Sequence, residues 1–527
     1  MTTTQAAIVA MVVLSCAGLL PVAALVGPRV IAVPLLPLGG AVIAALAATG
    51  FTALGGNFLA WFVTVAAVGA LAAVAYWMQW PDRRPWRRPT RVGVAGDVWC
   101  RLLVAVGAGV ILGTCIWSLR GLATPTVGFD ARAVWLMRAG WFLQSQHQIL
   151  INLRVSDVTL IQTPYPPLVS AATAVAWRVT GDQSMRLGVV VIALLNTCAL
   201  ATASFALVES GRHFTGRLLP EHRRGESSLP DRGAPSGGRW LSFAPLIVGI
   251  VAASLLVVVA FGITEPFMTN GYADPIWSLA ALGAVAYGLQ MGISRTNRGA
   301  ALILVLVAGM SKNEGVATAG ALIVLIALRA VMSMPAAERH RRWWRPVVIG
   351  AAELMAVAAW PLLMRVIHAR GESSTLSPAH EWPDRARAAF DGMAPYLHVI
   401  LLAAPLAAVG GLVLSRVRRR SGLANDWWGW AGLACGLAVV GGAYVTNTAA
   451  IAVWLVGTVD RVTEFPALTG WWIVAMWAVV ASGALGATRS PEHRHTIDPR
   501  SDPRSDADTI GHSSRRLAPT PVGVAAE

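Results

Sequence analysis

The chain has 527 residues, of which 55% are hydrophobic and only 13% charged, and its formal net charge is +15. Soluble domains carry charge on about a quarter of their residues, so this composition excludes an ordinary water-soluble fold. Apolar runs of about 20 residues recur, and the short alternating segments of a transmembrane β-barrel are absent. The expected fold class is therefore an all-α polytopic membrane protein. Its surplus of arginine belongs to cytoplasmic loops that set topology, so nucleic acid is not an expected partner. The five cysteines (Cys16, Cys100, Cys115, Cys198, Cys435) form no CxxC pair, and neither a disulfide nor a metal cluster is expected.

Apolar segments near 7–26, 30–49 and 56–78 come first, and the run at 8–25 lacks a basic leader, so it reads as a retained helix. PDRRPWRRPTR follows and marks the inside. A fourth segment, 101–120, carries the chain outward to 128–168, the first long departure from hydrocarbon-soluble sequence. Within it, 131–144 suits an interfacial helix with Trp135 and Trp141 at headgroup level. Pro166 and Pro167 punctuate the loop and open a second short helix through Trp177.

Further spans are expected near 185–208, 241–263, 272–292, 299–310, 316–333, 346–366, 395–415, 429–451 and 467–487. This makes about 13 transmembrane helices with the N-terminus outside. Arg-dense loops at 83–101, 212–239, 295–298, 339–345 and 416–420 then fall inside, and Asp130, Asp274, Glu314 and Asp460 fall outside. Three regions are expected: N-terminal helices and a basic cytoplasmic loop over 1–100, a membrane domain over 101–487, and a disordered cytoplasmic tail over 488–527. No repeat with a period of 20–50 residues is present.

Ionisable groups beside membrane segments are costly, which makes them candidates for function. Asp130 follows Gly128-Phe129 just beyond a span, where a carboxylate can accept a proton from a hydroxyl. The same position suits an N-cap for the helix that follows. Lys312 is the only lysine in the chain and sits in SKNEG beside Asn313 and Glu314. A compact ammonium there suits a phosphate oxygen, with Glu314 tuning its position; the alternative is a Lys–Glu pair closing a helix hairpin. Asp274 in GYADP has a turn reading, with Pro275 starting the next helix. Arg461 runs against the positive-inside trend and implies an anion, either Asp460 or a ligand phosphate. His147, Asp157 and Glu265 read as structural, and no HExxH spacing is present.

In chain order these features are an outer-loop Asp with Arg and aromatics, YPPL, an outer Asp-Pro, a lysine-bearing helix break and a late outer Arg. Over about residues 101–465 this order resembles the GT-C-type membrane glycosyltransferases that use polyprenyl-phosphate sugars. That family includes the protein O-mannosyltransferases, the lipid A aminoarabinose transferase and the actinobacterial mannosyl- and arabinosyltransferases. The resemblance implies a GT-C-like fold with interfacial helices in the first large external loop. It assigns the catalytic acid to Asp130, the PPL segment to Pro166-Pro167-Leu168, and the arginine opening the next span to Arg186. Segments 272–275 and 311–315 are similar to the YADxPL and TKNEG of bacterial relatives.

What the resemblance implies for activity is inverting transfer of mannose or arabinofuranose from a polyprenyl-phosphate lipid donor. The acceptor would be a glycan, glycolipid or protein at the outer face of the plasma (inner) membrane, with Asp130 as general base. Lys312, Arg186 and Arg461 would hold the donor phosphate, with Asp274, Glu314 and Tyr165 beside them. No metal and no further cofactor is expected. Ala131 departs from the family's Asp-Glu pair, and the large soluble C-terminal domain of several relatives has no counterpart. Two rival readings are a transporter or lipid flippase, and a non-catalytic scaffold in envelope assembly.

Overall fold

The computed structural model describes residues 1–79, 94–155, 164–218, 243–292, 294–369, 376–400, 427–448 and 450–488. Every regular element among them is helical, apart from one isolated bridge between Leu376 and Asn447. Among the described residues, ten helices are long and apolar enough to cross a membrane. They are Thr3–Val26, Ala32–Leu54, Phe58–Ala75, Val98–Ala123, Met185–Thr215, Ala244–Thr264, Asn313–Met332, Trp344–Val366, Trp427–Thr446 and Ile451–Gly483. This is the architecture of a multi-pass membrane protein. The tail expected from 489 onward, the loop holding Asp157 and most of the expected span 395–415 lie outside the described residues.

Two other expected spans take a different form. The segment 272–292 becomes α10 (Asp274–Ala284), which runs into a π-helix at Val285–Gln290. The segment 299–310 lies within α11 (Arg295–Gly309). Both are shorter than the roughly 20 residues that a crossing needs. Every residue of α10 is buried, because a helix that is apolar all round is enclosed by its neighbours. The short α7 (Leu168–Thr180) is enclosed in the same way over its first ten residues, Leu168 to Trp177.

Helices α1 (Thr3–Val26) and α2 (Ala32–Leu54) cross at backbone distance. A Cβ on Gly40 would sit 2.0 Å from the Leu14 carbonyl oxygen, and one on Gly18 would sit 2.2 Å from that of Leu36. Small residues at a crossing let two backbones approach, which matters in lipid, where no hydrophobic force separates helix from solvent. The pair also packs on α7, α8 (Met185–Leu218) and α11, so these first helices share one core with the rest of the bundle. Arg295 and Thr296 donate to the carbonyl oxygens of Ala24 (2.7 Å) and Val26 (3.1 Å), satisfying free acceptors at the end of α1.

After α4 (Val94–Ser118) the stretch from 128 holds a π-helix, Ala131–Leu136, that continues into α5 (Met137–Trp141) and then α6 (Gln146–Val155). The headgroup placement expected for Trp135 and Trp141 is corrected here: they are 1% and 9% exposed and packed within the protein core. The reason is the all-round apolar character of 131–142, which makes enclosure cheaper than a surface position. Beyond α9 (Ala244–Thr264) and α10–α11 come α12 (Asn313–Met332), α13 (Ala336–Arg342) and α14 (Trp344–Val366). Three further helices, α15 (Trp382–Met393), α16 (Trp427–Thr446) and α17 (Ile451–Val462), share a satellite core of Ala389, Met393, Val440, Tyr444, Val459 and Val462. Arg385 on α15 donates to the carbonyl oxygen of Tyr444 at 3.2 Å, and this cluster sets the position of α17. The chain then continues in α18 (Glu464–Thr488).

The crossing of α1 and α2 is testable. Gly40→Val should lower the unfolding midpoint in detergent by the equivalent of about 1–3 kcal/mol or more, because the added carbons meet backbone rather than a movable side chain. Gly109→Val, where a Cβ meets nothing within 4 Å, should leave the midpoint within about 0.5 kcal/mol of wild type. Equal midpoints for the two variants would refute the close crossing.

Candidate functional site

Asp130 is positioned by a contact between two loops. The Gly128 N–H donates to the Asn270 carbonyl oxygen at 2.9 Å, and a Cβ at Gly128 would lie 2.1 Å from the Tyr272 ring. A residue without a side chain is needed for segment 128–130 to lie this close to 270–272. Asp130 then precedes the π-helix, a local widening of helix geometry often found at functional positions. Its carboxylate makes no capping hydrogen bond to that helix. It accepts instead from Nη1 of Arg461, at the other end of the chain.

Arg461 lies in the last turn of α17, where a cation is favoured by the carbonyl ends of the helix. Besides Asp130 it faces Oδ2 of Asp274 at 3.7 Å. Asp274 stands in the first turn of α10 with Pro275 beside it, as the turn reading expects, and helix N-termini favour an acid. Its Oδ1 accepts from Lys312 Nζ at 2.5 Å, and Lys312 also pairs with Glu314 at 3.3 Å. Lys312 is the extended residue between α11 and α12, and Glu314 is in the first turn of α12. A Cβ at Gly315 would meet the Ala308 carbonyl oxygen at 2.1 Å, so glycine is what allows the break at 310–312 to fold this tightly. The result is an alternating chain of charges: Asp130, Arg461, Asp274, Lys312, Glu314.

Aromatic rings wall this chain. The Tyr272 and Phe267 rings lie 5.1 and 5.8 Å from the Arg461 guanidinium, and the Tyr165 ring lies 5.9 Å from Lys312 Nζ. Tyr165 stacks on Trp135 at 5.4 Å, and the Leu168 N–H donates to the Met310 carbonyl oxygen at 2.9 Å. The YPPL turn is thereby fastened to the helix break that holds Lys312. Burial raises the pKa of Tyr165 and of Tyr272, and acids nearby push the same way, so both phenols remain neutral donors. Burial works against the Lys312 ammonium, but Asp274 and Glu314 outweigh it and hold the proton on.

Exposure separates the two carboxylates. The Asp274 side chain is 1% exposed and that of Asp130 is 29% exposed. An incoming hydroxyl can therefore reach Asp130, whereas Asp274 serves the ion-pair chain. Of the residues singled out by sequence, Asp130, Asp274, Lys312, Glu314 and Arg461 are joined directly, and Tyr165 borders them. Both alternatives for Lys312 and Arg461 bear on the outcome: Lys312 does pair with Glu314, and Arg461 finds protein carboxylates, with the side chain of Asp460 accepting only its backbone N–H at 2.9 Å. Arg186 stands apart, donating to the Ala123 carbonyl oxygen at 3.3 Å from an exposed position. His147 and Glu265 are exposed and do not join the cluster.

Two buried ionisable residues beside this cluster were not singled out. Glu464, at the start of α18, is fully buried and lies within electrostatic reach of Asp274 and Lys312. An acid within the apolar run after 451 was a readable signal for it. Arg138 on α5 is 1% exposed, with its guanidinium 5.5 Å from the Trp360 ring. Burial lowers its pKa to about 9, which leaves it charged near neutrality. Among the described residues no group of three or more His, Cys, Asp or Glu is arranged to hold a metal ion.

No family model matches the chain, and no curated protein or solved structure is significantly similar to it.

The ion-pair chain predicts a stability pattern. Lys312→Met leaves Asp274 buried without its nearest cation and should cost about 3–5 kcal/mol of stability. Adding Asp274→Asn removes the stranded charge, so the double variant should be more stable than the sum of the two single changes by about 0.5–3 kcal/mol. Thermal unfolding of the four proteins in detergent measures the cycle, and strict additivity would show that the two side chains do not interact.

Proposed function

We propose that this protein is a GT-C-like membrane glycosyltransferase that takes sugar from a polyprenyl-phosphate donor. One observation carries the proposal: four segments, around 130, 274, 312 and 461, converge in one charged cluster whose most exposed carboxylate is Asp130. Those are four of the segments on which the sequence resemblance rests; Arg186, another of its residues, lies apart. In this reading Asp130 accepts the proton of the acceptor hydroxyl as that oxygen attacks the anomeric carbon. The bond from sugar to phosphate breaks with inversion, and the departing phosphate keeps the electron pair. Arg461 holds Oδ2 of Asp130 and leaves Oδ1 for the hydroxyl. Positioned general-base help is worth about 10²–10⁴-fold in rate.

The donor would be a mannosyl or arabinofuranosyl polyprenyl phosphate, and the acceptor an envelope glycan, glycolipid or protein. The arrangement further proposed is about 11 spans, the ten long apolar helices and the expected span 395–415, with the plasma membrane as location and the site facing outward, supported by the clustering of arginine in alternate loops. A second reading is a transporter. The buried pairing of Lys312 with Asp274, at a break between two apolar helices, favours it, since broken helices mark ion and substrate sites in transporters.

Orientation is checked by labelling single cysteines in intact cells, in a background lacking the five native ones. An impermeant maleimide should modify Gln148→Cys in the outer stretch and spare Arg341→Cys in the basic α13 segment, both of which are exposed positions. Modification of Arg341→Cys alone would invert the topology.

Catalysis is checked by Asp130→Asn. Asparagine keeps the shape and an acceptor for Arg461, but it does not take up a proton. Turnover with polyprenyl-phosphate mannose or arabinofuranose should fall by about 10²-fold or more, with expression and donor binding retained. Wild-type turnover by Asp130→Asn would remove the catalytic role. Absence of transfer by the wild-type protein with either donor would favour transport.

A further inference from the structure

Arg138 carries a charge that the protein itself does not answer. Neither Nη1 nor Nη2 has a hydrogen-bond partner among the described residues, although the side chain is 1% exposed. No described acid forms an ion pair with it. A buried cation in that condition is costly, by several kcal/mol in general. The Trp360 ring offsets part of the cost through its contact with the guanidinium. A ring engages one side of the planar guanidinium, however, and leaves the forked N–H donors of Nη1 and Nη2 free to bond elsewhere.

The cations singled out from the sequence are already engaged. Lys312 pairs with Asp274 and Glu314, Arg461 with Asp130 and Asp274, and Arg186 donates to a backbone carbonyl. An anion entering the site would have to break an existing pair to use Lys312 or Arg461. Arg138 requires no such exchange. Tyr165 connects the two regions, since its ring lies 5.9 Å from Lys312 Nζ and stacks on Trp135, three residues before Arg138. Its neutral hydroxyl is a further donor.

We propose that Arg138 is the phosphate seat of this site: Nη1 and Nη2 donate to two oxygens of one phosphate group, with the Tyr165 hydroxyl as a third donor. Planar, bidentate recognition of phosphate is what a guanidinium does best. That the phosphate is the headgroup of the lipid donor rests on the glycosyl-transfer reading. That Arg138 holds a phosphate does not.

The test uses the full-length protein in detergent, with farnesyl phosphate and inorganic phosphate as probes. Arg138→Met keeps the apolar stem and removes the charge. It should melt at or above the wild-type temperature without ligand and bind farnesyl phosphate about 10- to 100-fold more weakly, the loss expected for hydrogen bonds to a charged group. Arg138→Lys should recover only part of the affinity, because a point charge replaces a fork. Inorganic phosphate competing at equal concentration would assign the seat to free phosphate, and farnesyl phosphate binding alone would assign it to a lipid headgroup; both support the seat. Wild-type affinity for farnesyl phosphate in Arg138→Met would overturn it. So would a melting temperature for Arg138→Met well below wild type, since that marks a protein partner for the guanidinium, or failure of wild type to bind either probe. Sugar transfer is assayed separately, so loss of the glycosyl-transfer reading with phosphate binding intact leaves the seat standing.

Discussion

Asp274 is the carboxylate on which the site depends. It is enclosed by protein, and its two oxygens face Lys312 on one side and Arg461 on the other. A carboxylate taken out of water is tolerated only when cations and hydrogen bonds surround it, so its burial fixes where those cations must stand. Lys312 is at the start of α12 and Arg461 at the end of α17, while Asp274 itself opens α10. Three helix ends are therefore held to one point. The partial charges at those ends favour the acids at the N-termini and the arginine at the C-terminus.

From this buried centre the alternation of charge leads outward to Asp130. Arg461 is the link, because one guanidinium serves the enclosed Asp274 and the half-open Asp130 together. The position of the accessible carboxylate is thus set by an interaction whose anchor lies inside the protein. Close loop packing supports the same geometry from the other side, with Gly128 against Tyr272 and the Leu168 N–H on Met310. A site made this way has little freedom to rearrange, which suits chemistry in which a hydroxyl must meet one oxygen at one distance.

The bundle provides this rigidity through small residues rather than through large apolar contacts. Alanine and glycine line the crossing of α1 with α2, and Gly211 and Gly249 do the same where α8 meets α9. In a bilayer, helix contact rests on packing and on polar groups, so close approach and buried ion pairs are the available means of holding helices in register. The protein uses the first where α1 meets α2 and where α8 meets α9, and the second around Asp274.

Much of the fold was legible because hydrophobicity is a local property. Runs such as 7–26 and 241–263 have only one stable state in lipid, a helix with every backbone group satisfied internally. Asp130 and Lys312 stood out for the same reason, as charges where charge is expensive. The sequence alone did not decide whether 272–292 and 299–310 cross the membrane or lie enclosed, since composition is the same in both environments. Only the tertiary structure decided the pairing of charges. Asp130 and Arg461 are 331 residues apart, and nothing in either neighbourhood specifies the other. The same holds for Trp135 and Arg138, which read as part of an interfacial helix and lie buried, because burial depends on what the remaining helices place around them.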